Sequence, residues 1–226
     1  MLQLILGRAG YGKTEYVFTK IKELVDSGNK DIILLVPEQF SYSSERRLLS
    51  DLGANRVNSV SCLSFSRLSN EIASIYGGNE LPLLTKGARA VMMKKALLTA
   101  QDALKLFNTN ITSNSFINSV LKIYDEMKSC RITSDDLRDA CEDTQSELLK
   151  LKLGDIALIM DAYDALIEGE YYDSENELTR LYHKLSNLDF FKGKTVFIDG
   201  FSGFVAQEYK IIEVMIKQTK DLFITL

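Results

Sequence analysis

The feature that most constrains this fold is a glycine-rich octapeptide between a short apolar run and an amphipathic pattern. Residues 2–6 are almost entirely apolar, which predicts a buried strand, and the apolar residues from Thr14 onward recur at helical spacing. The octapeptide fits the pattern G-x-x-x-x-G-K-[ST] at every fixed position and consists of Gly7, Arg8, Ala9, Gly10, Tyr11, Gly12, Lys13 and Thr14. A strand that enters a helix through such a loop predicts an α/β fold with a parallel sheet.

The same loop predicts a nucleotide-binding site. In this geometry successive backbone N–H groups point inward, and the amino terminus of the following helix adds partial positive charge. We expect Lys13 to reach the outer phosphates of ATP or GTP and the Thr14 hydroxyl to bind Mg²⁺. Gly7, Gly10 and Gly12 allow torsions and a close approach that a Cβ would obstruct. A glycine-rich turn that binds no ligand is the structural alternative.

Strand and helix alternate in the first part of the chain, which predicts parallel strands joined by right-handed crossovers. We expect Ser41 to cap one helix and Gly53 to end it, and we expect the next helix to end at Gly77 and Gly78. The predicted segments are strand 31–36, helix 41–52, strand 57–60 and helix 63–76.

From about residue 85 to about residue 188 the patterns are all helical. The predicted helices cover residues 87–107, 115–130, 134–141, 145–168 and 175–185. Such a block is an insertion or subdomain and not part of the sheet. We therefore expect a P-loop domain formed by residues 1–84 and 189–226, with a helical insertion subdomain over residues 85–188.

Strand character returns after the helical block and predicts a second half of the site. Strands are predicted over 194–199 and 221–226, with a helix over 206–218 between them. Three apolar residues precede Asp199, which is therefore a carboxylate at a strand tip and the candidate that holds Mg²⁺ through water. An ordinary aspartate before a glycine turn is the alternative. Because the last apolar run stops inside a predicted strand, we expect the sequence to be a piece of a longer protein.

Composition narrows the class of protein. The chain has three cysteines without a C-x-x-C pair and one histidine, which predicts reduced thiols and disfavours a histidine-based metal site. No apolar stretch approaches membrane-spanning length and no leader is recognisable, so we expect a cytoplasmic protein without a membrane segment. The net charge of −4 argues against nucleic-acid binding by the whole surface. A local basic strip is the candidate exception, or is simply a solvated helix face: Lys86, Arg89, Lys94, Lys95 and Lys105.

The order of these segments resembles the first domain of superfamily 1 DNA helicases. The segment Val60–Leu68 is similar to the part of those helicases that touches single-stranded DNA, and the resemblance implies DNA contacts for Ser64, Phe65 and Arg67. Within that superfamily, three pieces are similar to the AddB subunits of bacterial AddAB helicase–nucleases. These pieces are Val36-Pro37-Glu38-Gln39, Phe197-Ile198-Asp199-Gly200-Phe201 and the helix that carries Tyr172-Asp173-Ser174-Glu175.

The resemblance implies a RecA-like P-loop domain with a 1B-like helical insertion, and a role in processing DNA double-strand ends together with an AddA-like helicase subunit. It implies a scanning and scaffold role more than a motor role, and it places a nuclease domain with an iron–sulfur cluster in a C-terminal part that this sequence does not supply. In helicases a glutamate that positions the attacking water typically follows the aspartate, whereas this chain has Gly200. Binding without efficient hydrolysis is therefore expected, unless Glu38 or Glu208 substitutes.

Two other functions remain open from the residues alone. A small P-loop kinase or other nucleotide-metabolising enzyme would use the helical block as a substrate lid. A non-catalytic scaffold would use nucleotide only to stabilise the fold.

Overall fold

The computed structural model describes residues 1–77, 81–109, 111–173 and 177–226. These residues form two compact units, of which the first comprises Met1–Tyr76 with Leu178–Leu226 and the second comprises Gly77–Glu177. The first unit contains a parallel sheet flanked by helices, and the second is helical. The predicted α/β class with a helical insertion is confirmed.

The sheet of the first unit has five parallel strands among the described residues, in the order β1-β5-β4-β2-β3. Strands β2 and β4 are buried at every position because helices cover both faces of the sheet, which is why they read as continuous apolar runs. The strands are β1 Leu2–Ile5, β2 Ile32–Leu35, β3 Val60–Leu63, β4 Thr195–Ile198 and β5 Asp221–Thr225.

Helices connect the strands and build the inserted unit. Over the described ranges they are α1 Lys13–Asp26, α2 Ser41–Leu52, α3 Phe65–Tyr76, α4 Lys86–Ala100, α5 Asn114–Ser129, α6 Ser134–Asp143, α7 Glu147–Ile167, α8 Glu177–Ser186 and α9 Ala206–Gln218. In the first unit α1 and α2 pack on one face of the sheet, and α3, α8 and α9 pack on the other. Alternate residues of each central strand therefore contribute to two separate cores.

Strand β1 differs from the other strands in its exposure. It pairs only with β5 within the described part of the chain, so it forms one margin of the sheet. Leu2 and Leu4 are 44% and 51% exposed, whereas Leu222 and Ile224, which face the same way on β5, are 1% and 6% exposed. The helical layer on that face therefore covers β5 but leaves β1 open.

The helical unit has its own core, formed by α4, α5 and α7 with α6 packed on α7. Its most deeply buried carboxylate on α7 is Asp155, which accepts hydrogen bonds from the backbone N–H groups of Lys105, Leu106 and Phe107 at 2.7–2.9 Å. Those three N–H groups follow the end of α4. Asp155 therefore anchors the connection between α4 and α5 to α7.

Most predicted segments are confirmed, and the deviations lie at their ends. The predicted strand over 57–60 is wrong in position, because Val57–Ser59 forms a 3₁₀ turn and the strand runs over Val60–Leu63. Ser41 is wrong as a cap: Phe40 occupies that position, and the buried Ser41 Oγ has no hydrogen-bond partner among the described residues. Gly53 does end α2, with a φ of 75°.

Two predicted features involve residues outside the described ranges. The helix stop at Gly78 and the start of a helix at Glu175, with the adjoining Ser174, lie there. None of the helices in the described ranges is long and apolar enough to span a bilayer.

Candidate nucleotide-binding site

The glycine loop lies between the carboxyl end of β1 and the first turn of α1. Gly10 and Gly12 have φ values of 81° and 79°, in the left-handed region that favours glycine. The N–H of Gly7 donates to the carbonyl of Leu226 at 3.2 Å, which ties the start of the loop to the end of β5. Helix α1 begins directly at Lys13, so its unpaired N–H groups face the loop.

The Lys13 ammonium group folds back over the loop. Its Nζ donates to the carbonyl of Gly7 and to the carbonyl of Arg8, the latter at 3.2 Å. These carbonyls are weak substitutes for a phosphate, because a cation bonds more strongly to an ionised oxygen. Lys13 is thus held beside the loop by interactions that an anionic ligand can replace.

Asp199 lies opposite the loop, at the carboxyl end of β4. Its backbone N–H donates to the Leu35 carbonyl at 3.0 Å, and the residue is 5% exposed. The structure brings the two predicted halves of the site together, because Gly10, Lys13, Thr14 and Asp199 line one cleft of about 570 Å³. The Thr14 hydroxyl and the Asp199 carboxylate in this cleft are oxygen groups of the kind that bind a magnesium ion or its waters.

A second cleft of about 500 Å³ adjoins the first and shares Thr14, Arg47, Asp199 and Gly200 with it. The Arg47 guanidinium on α2 lies 4.1 Å from the centroid of the Phe18 ring and donates to the Glu15 carboxylate. This places a cation next to the glycine loop. Sequence reasoning missed Arg47, since no motif links a residue in the middle of α2 to the loop.

Gly200 has a φ of 82°, so the turn after Asp199 is left-handed. A Cβ at this position would lie 3.5 Å from Cδ2 of Phe40 and 3.6 Å from Cδ of Pro37. A side chain at residue 200 would therefore start toward the segment between β2 and α2.

The two glutamates considered as substitutes have other roles in the structure. The Glu38 carboxylate accepts a hydrogen bond from the Ser64 hydroxyl. Glu208 accepts from the Val205 N–H at 2.9 Å at the start of α9; burial raises its pKa, and that hydrogen bond opposes the rise. Neither residue is among those lining the two clefts.

The three residues predicted to contact DNA lie where β3 ends and α3 begins. Ser64 is buried, and its Oγ accepts from the Arg67 N–H at 3.2 Å as well as donating to Glu38. Phe65 is buried against Phe201, with ring centroids 5.7 Å apart. Arg67 is exposed and is paired with Glu45. Of the three, only Arg67 presents its side chain to solvent.

The basic strip of the helical unit is smaller than its sequence suggests. Arg89 is largely buried, where it bonds the Asp125 carboxylate and also Asp173 at 3.1 Å. Burial on its own would lower the pKa of Arg89, but the hydrogen bond to Asp125 and the charges of both aspartates raise it. The exposed cations of the strip are Lys86, Lys94, Lys95 and Lys105.

The cysteines are not arranged as metal ligands. Within the described ranges no group of three or more His, Cys, Asp or Glu side chains is placed to hold an ion. Cys62 is buried in β3, and burial raises the pKa of its thiol to about 11. The thiol of Cys62 is therefore protonated at neutral pH, unlike a metal ligand.

Fold and site together define a class of protein: a parallel α/β unit that carries a helical insertion and places an acidic strand tip beside a glycine loop. Comparison with known families is more specific. The family described as "ADDB, N-terminal" matches residues 4–226. The chain belongs to the AddB N-terminal family.

Individual relatives agree with this assignment, and each is described as a subunit of an ATP-dependent helicase/deoxyribonuclease. The chain is 32% identical to the Clostridium novyi (strain NT) protein over 225 residues and 34% identical to the Thermoanaerobacter sp. (strain X514) protein over 226 residues. These matches include 99% and 100% of this chain, but 20% of each relative. The chain thus spans about a fifth of the length of these curated relatives.

Proposed function

We propose that this chain is the nucleotide-binding, helicase-like N-terminal region of a subunit that processes DNA double-strand ends. In this proposal it has a RecA-like P-loop domain and binds Mg–ATP. The glycine loop holds the phosphates, while Thr14 and Asp199 bind the metal, Asp199 through water. The proposal extends the printed description of the relatives, which are named as ATP-dependent helicase/deoxyribonuclease subunits.

One observation carries the nucleotide part of the proposal. Two left-handed glycines shape a loop at a helix amino terminus, and the same cleft contains Lys13, Thr14 and Asp199. Backbone N–H groups and the helix dipole favour a polyphosphate at this place. Lys13 then supplies the positive charge, and Thr14 with Asp199 supplies the metal ligands, that a nucleoside triphosphate with its magnesium ion requires.

Weak hydrolysis is the second part of the proposal. Phosphoryl transfer depends on positioning the attacking water as well as on stabilising charge. Gly200 offers no group for that task, and Glu38 and Glu208 are bonded elsewhere. We therefore expect nucleotide to bind and to remain largely intact, which suits a structural or scanning role better than a motor role.

The DNA-binding and assembly parts of the proposal rest on the family. We propose an AddA-like helicase subunit as the partner, DNA ends as the substrate of the complex, and the bacterial cytoplasm as its location. On this chain the contact with single-stranded DNA would come from Arg67, by a phosphate contact, with Ser64 and Phe65 shaping the turn that presents it. An iron–sulfur cluster would belong to the part of such subunits that this chain does not match.

Replacement of Lys13 tests the nucleotide site. Lys13→Ala removes a charge-assisted contact worth about 1.5–3 kcal/mol, so the affinity for a fluorescent ATP analogue with Mg²⁺ is expected to fall about 10–150-fold. Lys22→Ala is the matched control, because Lys22 is an exposed lysine farther along the same helix. Titration followed by fluorescence measures both variants.

The outcomes separate the candidate functions. Equal affinity in Lys13→Ala and Lys22→Ala shows that the loop is not the site. Brisk release of phosphate by the wild-type chain, with or without single-stranded DNA, refutes the weak-hydrolysis part alone. Transfer of phosphate from ATP to a small molecule supports the kinase alternative instead.

A further inference from the structure

Strand β5 touches both halves of the candidate site. On one side it pairs with β1, and Leu226 donates its N–H to the Ile5 carbonyl at 3.0 Å while its own carbonyl accepts from Gly7. On the other side it pairs with β4, whose tip carries Asp199. Thr225, at the end of β5, therefore lies between the strand that enters the loop and the strand that ends in the acidic residue.

The Thr225 side chain makes a buried hydrogen bond to that acidic residue. Its Oγ1 donates to Oδ1 of Asp199 at 2.7 Å, and the two residues are 4% and 5% exposed. A second acceptor, the Ile198 carbonyl, is 3.5 Å away. Because a threonine hydroxyl has one proton, the shorter bond, which is the one to Asp199, dominates.

This bond assigns different roles to the two carboxylate oxygens of Asp199. Oδ1 is held by Thr225, whereas Oδ2 accepts no hydrogen bond from the residues that the structure describes. Both Asp199 and Thr225 line the cleft of the glycine loop. Oδ2 is thus the oxygen available to a metal-bound water, and the orientation of the carboxylate depends on the hydroxyl beside it.

We propose that Thr225 is a positioning residue that orients Asp199 for Mg²⁺. The proposal rests on the proposed function, since it concerns the metal of the bound Mg–nucleotide. When a residue that forms a hydrogen bond to a metal ligand is replaced, the affinity for the metal typically falls about 10–100-fold. Without the hydroxyl, Oδ1 would be a buried oxygen without a donor, and the carboxylate would turn toward water.

The test compares Thr225→Val, which preserves shape without the hydroxyl, with Thr225→Ser, which restores the hydroxyl. Mn²⁺ serves as the probe, and electron paramagnetic resonance measures its binding to the protein loaded with a non-hydrolysable ATP analogue. We expect Thr225→Val to weaken Mn²⁺ binding about 10–100-fold and Thr225→Ser to stay near wild type. In EDTA all three proteins are expected to bind the analogue equally, because the loop is intact.

Circular dichroism melting of each variant separates a positioning role from a structural one. A lower melting temperature in Thr225→Val with unchanged Mn²⁺ affinity overturns the proposal and leaves the proposed function standing. Wild-type protein that binds the analogue without any effect of Mn²⁺ overturns it as well. Wild-type protein that does not bind the analogue overturns both. If Thr225→Val is unfolded, Thr225→Ala replaces it, with the same expected results.

Discussion

Replacing Gly200 by glutamate tests directly whether the residue after Asp199 limits the hydrolysis of a bound nucleotide. The substitution introduces, after Asp199, the glutamate that helicases typically have after their own metal-binding aspartate. If the proposed weak hydrolysis is due only to the absence of a glutamate, adding a catalytic base would raise the rate about 10²–10⁴-fold. The backbone of this chain argues for a different result.

At a φ of 82°, a non-glycine residue at position 200 is strained by about 1–2 kcal/mol. The Cβ itself adds no clash, since its nearest neighbour is Cδ2 of Phe40 at 3.5 Å, an ordinary contact distance. The strain corresponds to a decrease in melting temperature of about 2–8 °C for a chain of this size. Because the Cβ points toward Phe40 and Pro37, the new side chain starts toward the segment between β2 and α2, and we expect its carboxylate to lie away from the water that attacks the nucleotide. We therefore expect Gly200→Glu to bind nucleotide, to melt earlier and to show no large gain in turnover.

The assay combines circular dichroism melting with phosphate release under saturating Mg–ATP. Gly203→Ala is the control, because Gly203 lies in the same loop, without a positive φ, and a Cβ there meets nothing within 4 Å. That control is expected to keep wild-type stability and turnover. A gain of about 10²-fold or more in turnover by Gly200→Glu, at an unchanged melting temperature, would refute the reasoning from backbone geometry.

Two further substitutions test other parts of the molecule. Asp155→Asn weakens three partly buried hydrogen bonds from backbone N–H groups to a carboxylate. Urea denaturation is expected to show that the free energy of unfolding falls by at least about 3 kcal/mol, whereas the exposed control Asp139→Asn should stay within about 0.5 kcal/mol of wild type. Equal losses in the two variants would show that the three bonds add no stability. Arg67→Ala is expected to weaken binding of single-stranded DNA and to reduce the salt slope by about 1, measured by fluorescence anisotropy over a range of salt. The control is Lys30→Ala, because Lys30 precedes β2 and lies at the opposite ends of the strands; it should change neither the affinity for DNA nor the salt slope. An unchanged salt slope in Arg67→Ala would show that Arg67 does not contact DNA.

The alternation of strands and helices could be predicted from sequence because apolar runs and helical spacing are local signals. The failure over 57–60 has a physical reason. Val57 and Val60 flank two polar residues in a way that imitates a strand, but Val57–Ser59 turns, and the strand continues to Leu63. Periodicity over four residues does not distinguish a turn that leads into a strand from the strand itself.

Contacts between residues far apart in the chain could not be predicted from the sequence. The partnership of Thr225 with Asp199 depends on β5 lying next to β4, and strand order is not encoded in the spacing of apolar residues. Arg89 reads as one cation in a basic strip, although in the folded unit it is enclosed by carboxylates. Asp155 reads as an ordinary polar position of a helix, and nothing local to it indicates three backbone donors that lie about fifty positions earlier.

The exposed leucines of β1, Leu2 and Leu4, have a practical consequence for measurements of binding. A strand that has an apolar surface, and one edge that pairs with no strand in the described part of the chain, is a template on which other chains can assemble. Such self-association would begin at the strand that leads into Gly7, so molecules that associate at high concentration would also obstruct the entrance to the glycine loop. Titrations should therefore use dilute protein, with light scattering recorded in parallel, so that self-association through β1 is not mistaken for a weak affinity for nucleotide.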